Sequence, residues 1–444
     1  MKERQENMTR YNPMREIPGP AGYKAGDVFV LFGELFGRGY ANGIVEEARR
    51  AGMQILGITV GRRDAGGMLR PLTAEELADA EANLGGRIIN IPLEAGFDME
   101  PGSSGVSPVE RLKGVKTDEW DKVSLDWDAI EQSRLAGIMR FTENLAAVVS
   151  ELDAAIPAGS NVLFAHTMAG GIPRARIYMP LLNRVFKGQG ERYLPSETFW
   201  KSDLGRLCSI SFDEVTANTF NRLIDATVEL RAKISDWKGQ VSYVAYCYHG
   251  CEVLINGAYT WQSYTPYLQG WAKMLLEDIA AGVWEQGVKA TVFNCPEIQT
   301  NSSALFLGVE ISLYPLLGAL ELEGGGPRVE EIKRKCHELL KEGVTLKDLL
   351  AGAESYLSGL ELADFTELEK WPQHNTAAQA EHMLNWATRL LEMNKDPKEI
   401  VCAELSRAVF RAVGALMFKS AWKPEAPVFW LNHDICAKQI IAEG

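Results

Sequence analysis

The sequence predicts an α/β fold in which helices cover both faces of a doubly wound, mostly parallel sheet. Three observations support this prediction. Short β-rich apolar runs alternate with longer segments of helical periodicity. The runs are almost continuously apolar, as expected for strands that are buried on both faces. A glycine-rich turn follows the first run and leads through a helical segment directly into the second run.

Six apolar runs are the predicted strands, and each adjoins a segment with helical periodicity. They occupy residues 28–32, 53–60, 87–91, 162–166, 241–246 and 289–293. Two long insertions interrupt the alternation, at about 96–130 and 172–215. Loops of this length in a compact domain usually have a function. From residue 324 onward the pattern turns helical, with helices predicted over 375–393 and 398–418.

Composition excludes several classes of protein. The 444 residues are 46% hydrophobic and 24% charged, which supplies an ordinary core. A formal charge of −13 argues against nucleic acid as a partner. The seven cysteines form no disulfide framework and the N-terminus has no apolar leader, so we expect a cytoplasmic protein with reduced thiols. No apolar run is long enough to predict a membrane span, and a homo-oligomer remains possible.

The turn after the first strand reads Gly33-x3-Gly37-Arg38-Gly39, and a helical segment follows it. Glycines at these positions let the backbone turn tightly and approach a pyrophosphate, while the helix N-terminus offers its N–H groups. In this β-turn-α-β context the motif predicts a Rossmann-type dinucleotide site. Arg38 either adds charge near the phosphates or points to solvent. The alternative is an ordinary glycine turn.

The second strand ends in Gly61-Arg62-Arg63-Asp64, where an NAD-specific site would present an acidic residue. The guanidinium groups of Arg62 and Arg63 match the oxygens of a 2′-phosphate. We therefore expect NADPH, with NADH possible. The alternative is that both arginines are solvated turn charges and that Asp64 recognises the ribose.

Eight residues separate Tyr264 from Lys273, in the segment YTPYLQGWAK. On one continuous helix this spacing would put the two side chains on opposite faces. Threonine is a favourable cap and proline a favourable first helical residue, so the pair Thr265-Pro266 predicts a helix start at Pro266. Tyr264 then lies on the preceding loop, where it can turn toward Lys273.

These motifs resemble a known family. The glycine spacing and residues 28–320 resemble the short-chain dehydrogenase/reductases, although the Tyr-x3-Lys pair of that family is absent. The Tyr-x8-Lys pair resembles the enlarged FabV-type trans-2-enoyl-acyl carrier protein (enoyl-CoA) reductases. The segments VSYVAYCYHG, LFAHTMAGG and EIQTNSSALFLGVEISLYP are similar to the fifth strand, the fourth strand and the acyl-pocket turn of those enzymes. We therefore identify the chain as a divergent member of that group.

The resemblance implies NAD(P)H-dependent reduction of 2-enoyl thioesters, carried on acyl carrier protein or coenzyme A, in fatty-acid synthesis. It makes Tyr264 the donor to the thioester oxygen and Lys273 the residue that holds the nicotinamide ribose. Tyr248, at the end of the fifth strand, is a second candidate hydroxyl donor. The resemblance also implies that residues 28–323 form an enlarged dinucleotide-binding reductase domain, between a lead-in at 1–27 and a helical region at 324–444.

Further cofactor contacts follow from the same resemblance. Ala169 lies among the small residues after the fourth strand, and Thr300 lies in the turn after the sixth. Glu94 is the nearest candidate for the adenine contact. Cys247, His249 and Cys251 are a poor zinc pattern, so we predict no metal site.

Two other functions remain open. An alcohol or ketone dehydrogenase on the same fold is one, and a non-catalytic NADP-binding scaffold is the other. Contact with an acidic carrier or a phosphopantetheine phosphate is expected at the basic side chains of the second insertion, unless these are scattered solvated charges. They are Arg174, Arg176, Arg184, Lys187, Arg192 and Lys201.

Overall fold

A computed structural model describes residues 11–263, 270–300, 308–368 and 374–444. A parallel sheet of seven strands lies at its centre. In chain order the strands are β1 (Val28–Phe32), β2 (Gln54–Ile58), β3 (Arg87–Ile89), β4 (Val162–His166), β5 (Val241–Cys247), β6 (Ala290–Asn294) and β7 (Val428–Trp430). Their order in the sheet is β7-β6-β5-β4-β1-β2-β3. The predicted α/β fold with a mostly parallel, doubly wound sheet is confirmed.

The direction of winding reverses beside β1. This strand pairs with β2 on one side, where Val28 lies opposite Gln54, and with β4 on the other, where Val28 lies opposite Val162. The chain fills one half of the sheet first, then crosses over and fills the other half. In open sheets of this kind the crevice outside the carboxyl ends of the two central strands is the usual ligand site.

All six predicted strands are present, and the region predicted as helical adds the seventh. Val428–Trp430 extends the sheet beside β6, with Val428 opposite Val292. The N-terminal lead-in runs along its other edge, where the Met14 backbone N–H donates to the Trp430 carbonyl oxygen at 2.9 Å. This covers the edge of the sheet, which would otherwise present unpaired backbone groups.

Helices form much of the rest of the described residues. They are Ala41–Arg50, Ala74–Leu84, Pro108–Arg111, Trp127–Ala155, Tyr178–Lys187, Ser196–Trp200, Asp203–Phe212, Thr219–Ala226, Val228–Asp236, Gly270–Glu285, Val309–Leu313, Leu316–Leu322, Pro327–Glu338, Leu346–Leu357, Ala377–Glu392, Val401–Trp422 and His433–Ala442, with a π-helix at Asp213–Asn218. Two antiparallel hairpins join Arg62–Arg63 to Leu69–Arg70 and Gly250–Ile255 to Ala258–Ser263. The second insertion is thus folded into helices over much of its length.

Local sequence explains where several helices begin. The Thr73 hydroxyl accepts from the Glu76 backbone N–H, and the Glu76 carboxylate accepts from the Thr73 backbone N–H. Ser107 and Glu110 form the same reciprocal pair. Such caps satisfy N–H groups that have no partner within the helix, and each stabilises the fold by about 1 kcal/mol.

Two hydrophobic layers sandwich the sheet. On one face β1 contributes Val28, Val30 and Phe32 to a core that includes helix Trp127–Ala155. On the other face Phe29 and Leu31 pack with the helix Ala41–Arg50, named here the turn helix, and with Val401–Trp422, named the long C-terminal helix. All seven cysteine side chains are buried thiols. In the part of the chain that the structure describes, no helix has the length and apolar character needed to span a bilayer.

The turn helix and the long C-terminal helix touch backbone to backbone. A methyl group added at Gly43 would overlap the Phe410 carbonyl oxygen, and one added at Gly414 would overlap the Gly43 backbone. Glycine at both positions therefore lets the helices approach closely. The C-terminal region thereby packs directly on the helix that follows the glycine turn.

Candidate active site

The glycine turn lies at the crevice beside β1, as predicted. Gly33 has φ +135°, which L side chains rarely adopt, and an added Cβ would overlap the Thr167 hydroxyl oxygen at the end of β4. At Gly37 and Gly39 an added Cβ would meet nothing within 4 Å. The Asn42 side chain donates to the Phe36 and Gly39 carbonyl oxygens at 2.9 and 3.0 Å, bracing the turn. Open space therefore lies over Gly37 and Gly39.

A carboxylate that the sequence analysis missed stands at the start of this turn. Glu34 accepts hydrogen bonds from the Thr59 hydroxyl at 2.7 Å and the Val60 backbone N–H at 3.1 Å. It lines a cleft of about 330 Å³ beside the carboxyl ends of β1 and β2. Its position inside the glycine motif was the available signal, because that motif places it next to the end of β2.

Arg62 and Arg63 are both bonded to carboxylates. Arg62 donates to Glu34 at 2.8 Å. Arg63 donates to Glu94 at 2.5 Å and to Glu100 at 3.1 Å, and only 8% of its side chain is exposed. Since Glu94 also pairs with Arg174, the residue predicted to meet the adenine belongs to an ion-pair cluster. The guanidinium groups of Arg62 and Arg63, which the sequence predicts to be available to a 2′-phosphate, are therefore both engaged in ion pairs.

The predicted small-residue segment follows β4 into the same crevice. Ala169 is exposed there, and the Gly170 backbone exchanges hydrogen bonds of 3.2 and 2.8 Å with the Thr216 hydroxyl. His166 is a core residue: it is buried, and its Nε2 lies 2.9 Å from the Thr219 hydroxyl. Thr300 is half-buried at the end of a described segment. The segment begins beside the glycine turn, because an added Cβ at Gly33 would overlap the Thr167 hydroxyl oxygen.

Lys273 is buried at the carboxyl end of β5. It lies in the helix Gly270–Glu285, named here the lysine helix, and only 2% of it is exposed. Its ammonium donates to the Tyr246 carbonyl oxygen at 2.5 Å and lies 4.7 Å from the centre of the Tyr248 ring. Burial lowers the pKa of Lys273 from 10.5 to about 8, and the negative charge of Glu277 opposes this shift.

The predicted catalytic Tyr264 lies outside the described residues. So does the predicted helix start at Pro266; the helix is described from Gly270. The second candidate donor, Tyr248, is half-buried beside Lys273. The structure thus brings two of the three predicted catalytic residues together.

A stack of aromatic rings connects the glycine turn to the lysine. Tyr40, directly after Gly39, stacks on Tyr246 with ring centres 5.6 Å apart and on Tyr248 with centres 6.2 Å apart. Burial raises the pKa of both Tyr40 and Tyr246 well above 10, so these hydroxyls stay protonated. The predicted phosphate turn and the predicted catalytic lysine therefore border one site.

A second buried charge, Glu277, lies one helical turn after Lys273. Its Oε1 accepts from Cys247 Sγ at 3.1 Å and from Asn294 Nδ2 at 2.6 Å, and lies 2.8 Å from His249 Nε2. Burial alone would raise the pKa of Glu277, but these partners lower it below its usual value. Cys247, His249 and Glu277 offer metal-ligating atoms within 4.8 Å of one another, and we interpret them as a hydrogen-bonded cluster. The absence of a metal site stays a prediction.

The basic side chains of the second insertion have mixed environments. Arg174 and Lys201 are paired with Glu94 and Glu197. Arg176 and Arg192 are exposed, and Arg184 donates to the Arg192 carbonyl oxygen at 3.3 Å. Within the described residues, the exposed charge available to an acidic partner is therefore smaller than the sequence suggested.

Comparison with known proteins decides the family. A family model described as enoyl-acyl carrier protein reductase FabMG matches residues 10–440. The chain belongs to this family. A solved structure titled as the apo form of FabMG, a novel type of enoyl-acyl carrier protein reductase, is 50% identical with a TM-score of 0.95, covering 98% of this chain and 99% of its own. A second, titled as an NADH-bound structure of FabMG, is 40% identical with a TM-score of 0.79, covering 98% of this chain and all of its own.

Membership of the FabMG family confirms the predicted activity: the protein is an oxidoreductase that reduces enoyl-acyl carrier protein in fatty-acid synthesis. The expected resemblance to an enlarged, divergent enoyl reductase is confirmed, and the family whose model matches is FabMG. A search of curated proteins returned no match. The family leaves open which residues of this chain carry the reaction.

Proposed function

We propose that this FabMG reductase uses NADH and holds it between the glycine turn and Lys273. The observation that carries the proposal is the position of Lys273: a buried ammonium at the carboxyl end of β5, joined to the glycine turn through Tyr40 and Tyr248. The open space over Gly37 and Gly39 suits a pyrophosphate, because a backbone without side chains can approach the phosphates closely there. We place the reductase domain at residues 28–323 and the C-terminal region at 324–444, which completes the central sheet of that domain with β7.

A nicotinamide cofactor supplies the hydride that adds to C3 of the 2-enoyl thioester. Negative charge then develops on the thioester oxygen, and a donor aimed at that oxygen lowers the barrier. Tyr264 is the proposed donor, carried over from the Tyr-x8-Lys spacing. Lys273 binds ribose hydroxyls, and its positive charge lowers the pKa of a neighbouring phenol. Tyr248 is the second candidate donor.

The choice of NADH over NADPH rests on the cleft beside β1 and β2. The carboxylate of Glu34 lies where an acid would accept from a ribose hydroxyl and repel a 2′-phosphate. Arg62 is neutralised by Glu34, and Arg63 is held by Glu94 and Glu100. Binding a 2′-phosphate would require breaking these pairs, so NADH is favoured over the NADPH expected from Arg62 and Arg63 alone.

The second insertion is the proposed contact surface for the acyl carrier protein. The exposed Arg176 and Arg192 on the helical insertion offer positive charge to an acidic partner. Such contacts lie on the rim of an interface and mainly raise the rate of association. They would therefore discriminate between a protein carrier and a small thioester.

The proposal is tested by measuring NADH consumption with a trans-2-enoyl thioester and with a panel of ketones. We expect consumption with the enoyl thioester, and a loss of about 100-fold in Tyr264→Phe. The matched control is Tyr259→Phe. In the wild type the Tyr259 hydroxyl donates to Glu323 at 2.7 Å, and its removal should leave turnover unchanged. Consumption with ketones alone, or unchanged turnover in Tyr264→Phe, would contradict the proposal.

A further inference from the structure

The lysine helix carries two buried charged residues on one face. Lys273 and Glu277 are four residues apart, a spacing that puts side chains above one another on a helix. Both are 2% exposed. Burying a carboxylate without compensation is costly, so its presence here calls for a partner or a task. The proposed chemistry assigns no task to Glu277.

Three elements hold the Glu277 carboxylate in place. Cys247 comes from the end of β5, His249 from the turn after it, and Asn294 from the end of β6. Each presents a donor to the same carboxylate oxygen, and the resulting network favours the ionised form. The negative charge therefore has a fixed position one helical turn from the ammonium of Lys273.

The other groups that face Lys273 carry no charge near neutral pH. Burial raises the pKa of the Cys247 thiol, from β5, and of the Cys295 thiol, after β6, well above 9. Burial lowers the pKa of His166, in β4, to about 3, so this ring is neutral. Tyr248 presents the face of its ring. Among the described groups that act on Lys273, Glu277 is therefore the one that supplies negative charge.

We propose that Glu277 is a positioning residue that keeps Lys273 protonated and directed toward the cofactor side of the crevice. This inference rests on the proposed function, because it takes Lys273 as the group that binds the ribose. Glu277 acts through Lys273 and does not touch the substrate. The hydrogen bonds from Cys247, His249 and Asn294 are the means by which the fold keeps this carboxylate ionised.

The sign of the effect follows from the protonated form being the active one. Activity is present below the pKa of Lys273 and is lost as pH rises through it. Removing the charge of Glu277 lowers that pKa further. In Glu277→Gln, the alkaline limb of the pH profile of kcat/KM for NADH should move about one unit to lower pH. At a pH above the Lys273 pKa of both the wild type and the variant, kcat/KM for NADH is then about tenfold lower in the variant, and at acidic pH it changes little.

If Glu277 had a purely structural role, Glu277→Gln would lower kcat/KM equally at every pH, and the alkaline limb of the profile would not move. Glu277→Asp, which retains a carboxylate, should keep the limb near the wild-type position. The matched control is Asp434→Asn, since Asp434 is also buried and pairs with Arg15 at 3.1 Å in the C-terminal region. That variant should leave the limb where it is. A limb in Glu277→Gln that coincides with the wild type overturns the inference.

Glu277→Gln leaves Lys273 as a buried cation without the Glu277 carboxylate, so we expect the variant to lose thermal stability. The double variant Lys273→Met/Glu277→Gln removes both charges, so it should recover the thermal stability that the single variant loses. Failure to recover it would contradict the inference, because the cost would then lie in the Cys247, His249 and Asn294 contacts.

Three readouts keep the separate failures apart. If the wild-type protein consumes no NADH with an enoyl thioester, that result contradicts the proposed function. Full turnover in Lys273→Met contradicts the assignment of Lys273 as the residue that binds the ribose. When the wild type is active and Lys273→Met is not, an unmoved alkaline limb in Glu277→Gln contradicts only the inference about Glu277.

Discussion

The two sides of the crevice are built in different ways. On the glycine side, the hydrogen bonds that brace the turn stay within one β-turn-α-β unit: Asn42 donates to the turn, and Glu34 accepts from Thr59 at the end of the next strand. On the lysine side, Lys273 bonds to a carbonyl 27 residues earlier, and Glu277 bonds to groups on two different strands. The half that suits the cofactor is thus local in sequence, whereas the half that suits the reaction is assembled from distant segments.

Removing the ammonium should produce the largest effect and should fall on the lysine side alone. In Lys273→Met, we expect turnover to drop by about 100-fold or more, because both ribose binding and the positive charge beside the reacting oxygen are lost. Steady-state NADH consumption with an enoyl thioester measures it. The control is Lys289→Met, an exposed lysine just before β6. Near-normal turnover in Lys273→Met would remove the distinction between the two sides.

A methyl group at Gly414 tests a distant contact of the glycine side, the packing of the turn helix on the long C-terminal helix. The added atom would overlap the Gly43 backbone, so Gly414→Ala should lower the free energy of unfolding by about 1–3 kcal/mol. Gly282→Ala is the control with the opposite sign, because its added methyl meets nothing within 4 Å and alanine favours a helix by about 1 kcal/mol. Urea denaturation measures both. Equal stability of the two variants would show that the Gly43 contact is unimportant.

Neutralising Glu34 sharpens the account of the glycine side. Glu34→Gln should raise the affinity for NADPH relative to NADH about tenfold, since it removes a repulsive charge and releases Arg62. Dissociation constants for both nucleotides give the ratio. Glu46→Gln, on the turn helix and paired with Arg50, serves as the control. An unchanged ratio in Glu34→Gln would refute the assignment of this carboxylate.

The predicted parts of the fold are those with a local signal. Apolar runs and the helical periodicity between them predict six strands and their parallel arrangement, because strands covered on both faces must be apolar throughout. Val428–Trp430 escaped prediction since a strand of three residues has no period, and its pairing with β6 and the lead-in is long-range. The contact of Gly43 with Gly414 escaped for the same reason.

The candidate site likewise combines residues that the sequence predicts with residues that only the tertiary structure reveals. Gly33 and Lys273 were found from spacing, and both border the crevice. Arg62 and Arg63 were identified as the positive charges after β2, but their partners Glu34, Glu94 and Glu100 are set by tertiary structure. Glu277 is four residues after Lys273, a signal that gains meaning only when the burial of both residues is known.

We propose above all that Lys273 and the glycine turn bind the same nicotinamide nucleotide. A crystal structure of the protein with bound NAD⁺ tests it most directly, through the distance from Lys273 Nζ to the hydroxyls of the nicotinamide ribose. The account predicts hydrogen bonds of about 3 Å to those hydroxyls, with the pyrophosphate against the backbone of the glycine turn. A ribose bound elsewhere, with Nζ still bonded to the Tyr246 carbonyl oxygen alone, would contradict it.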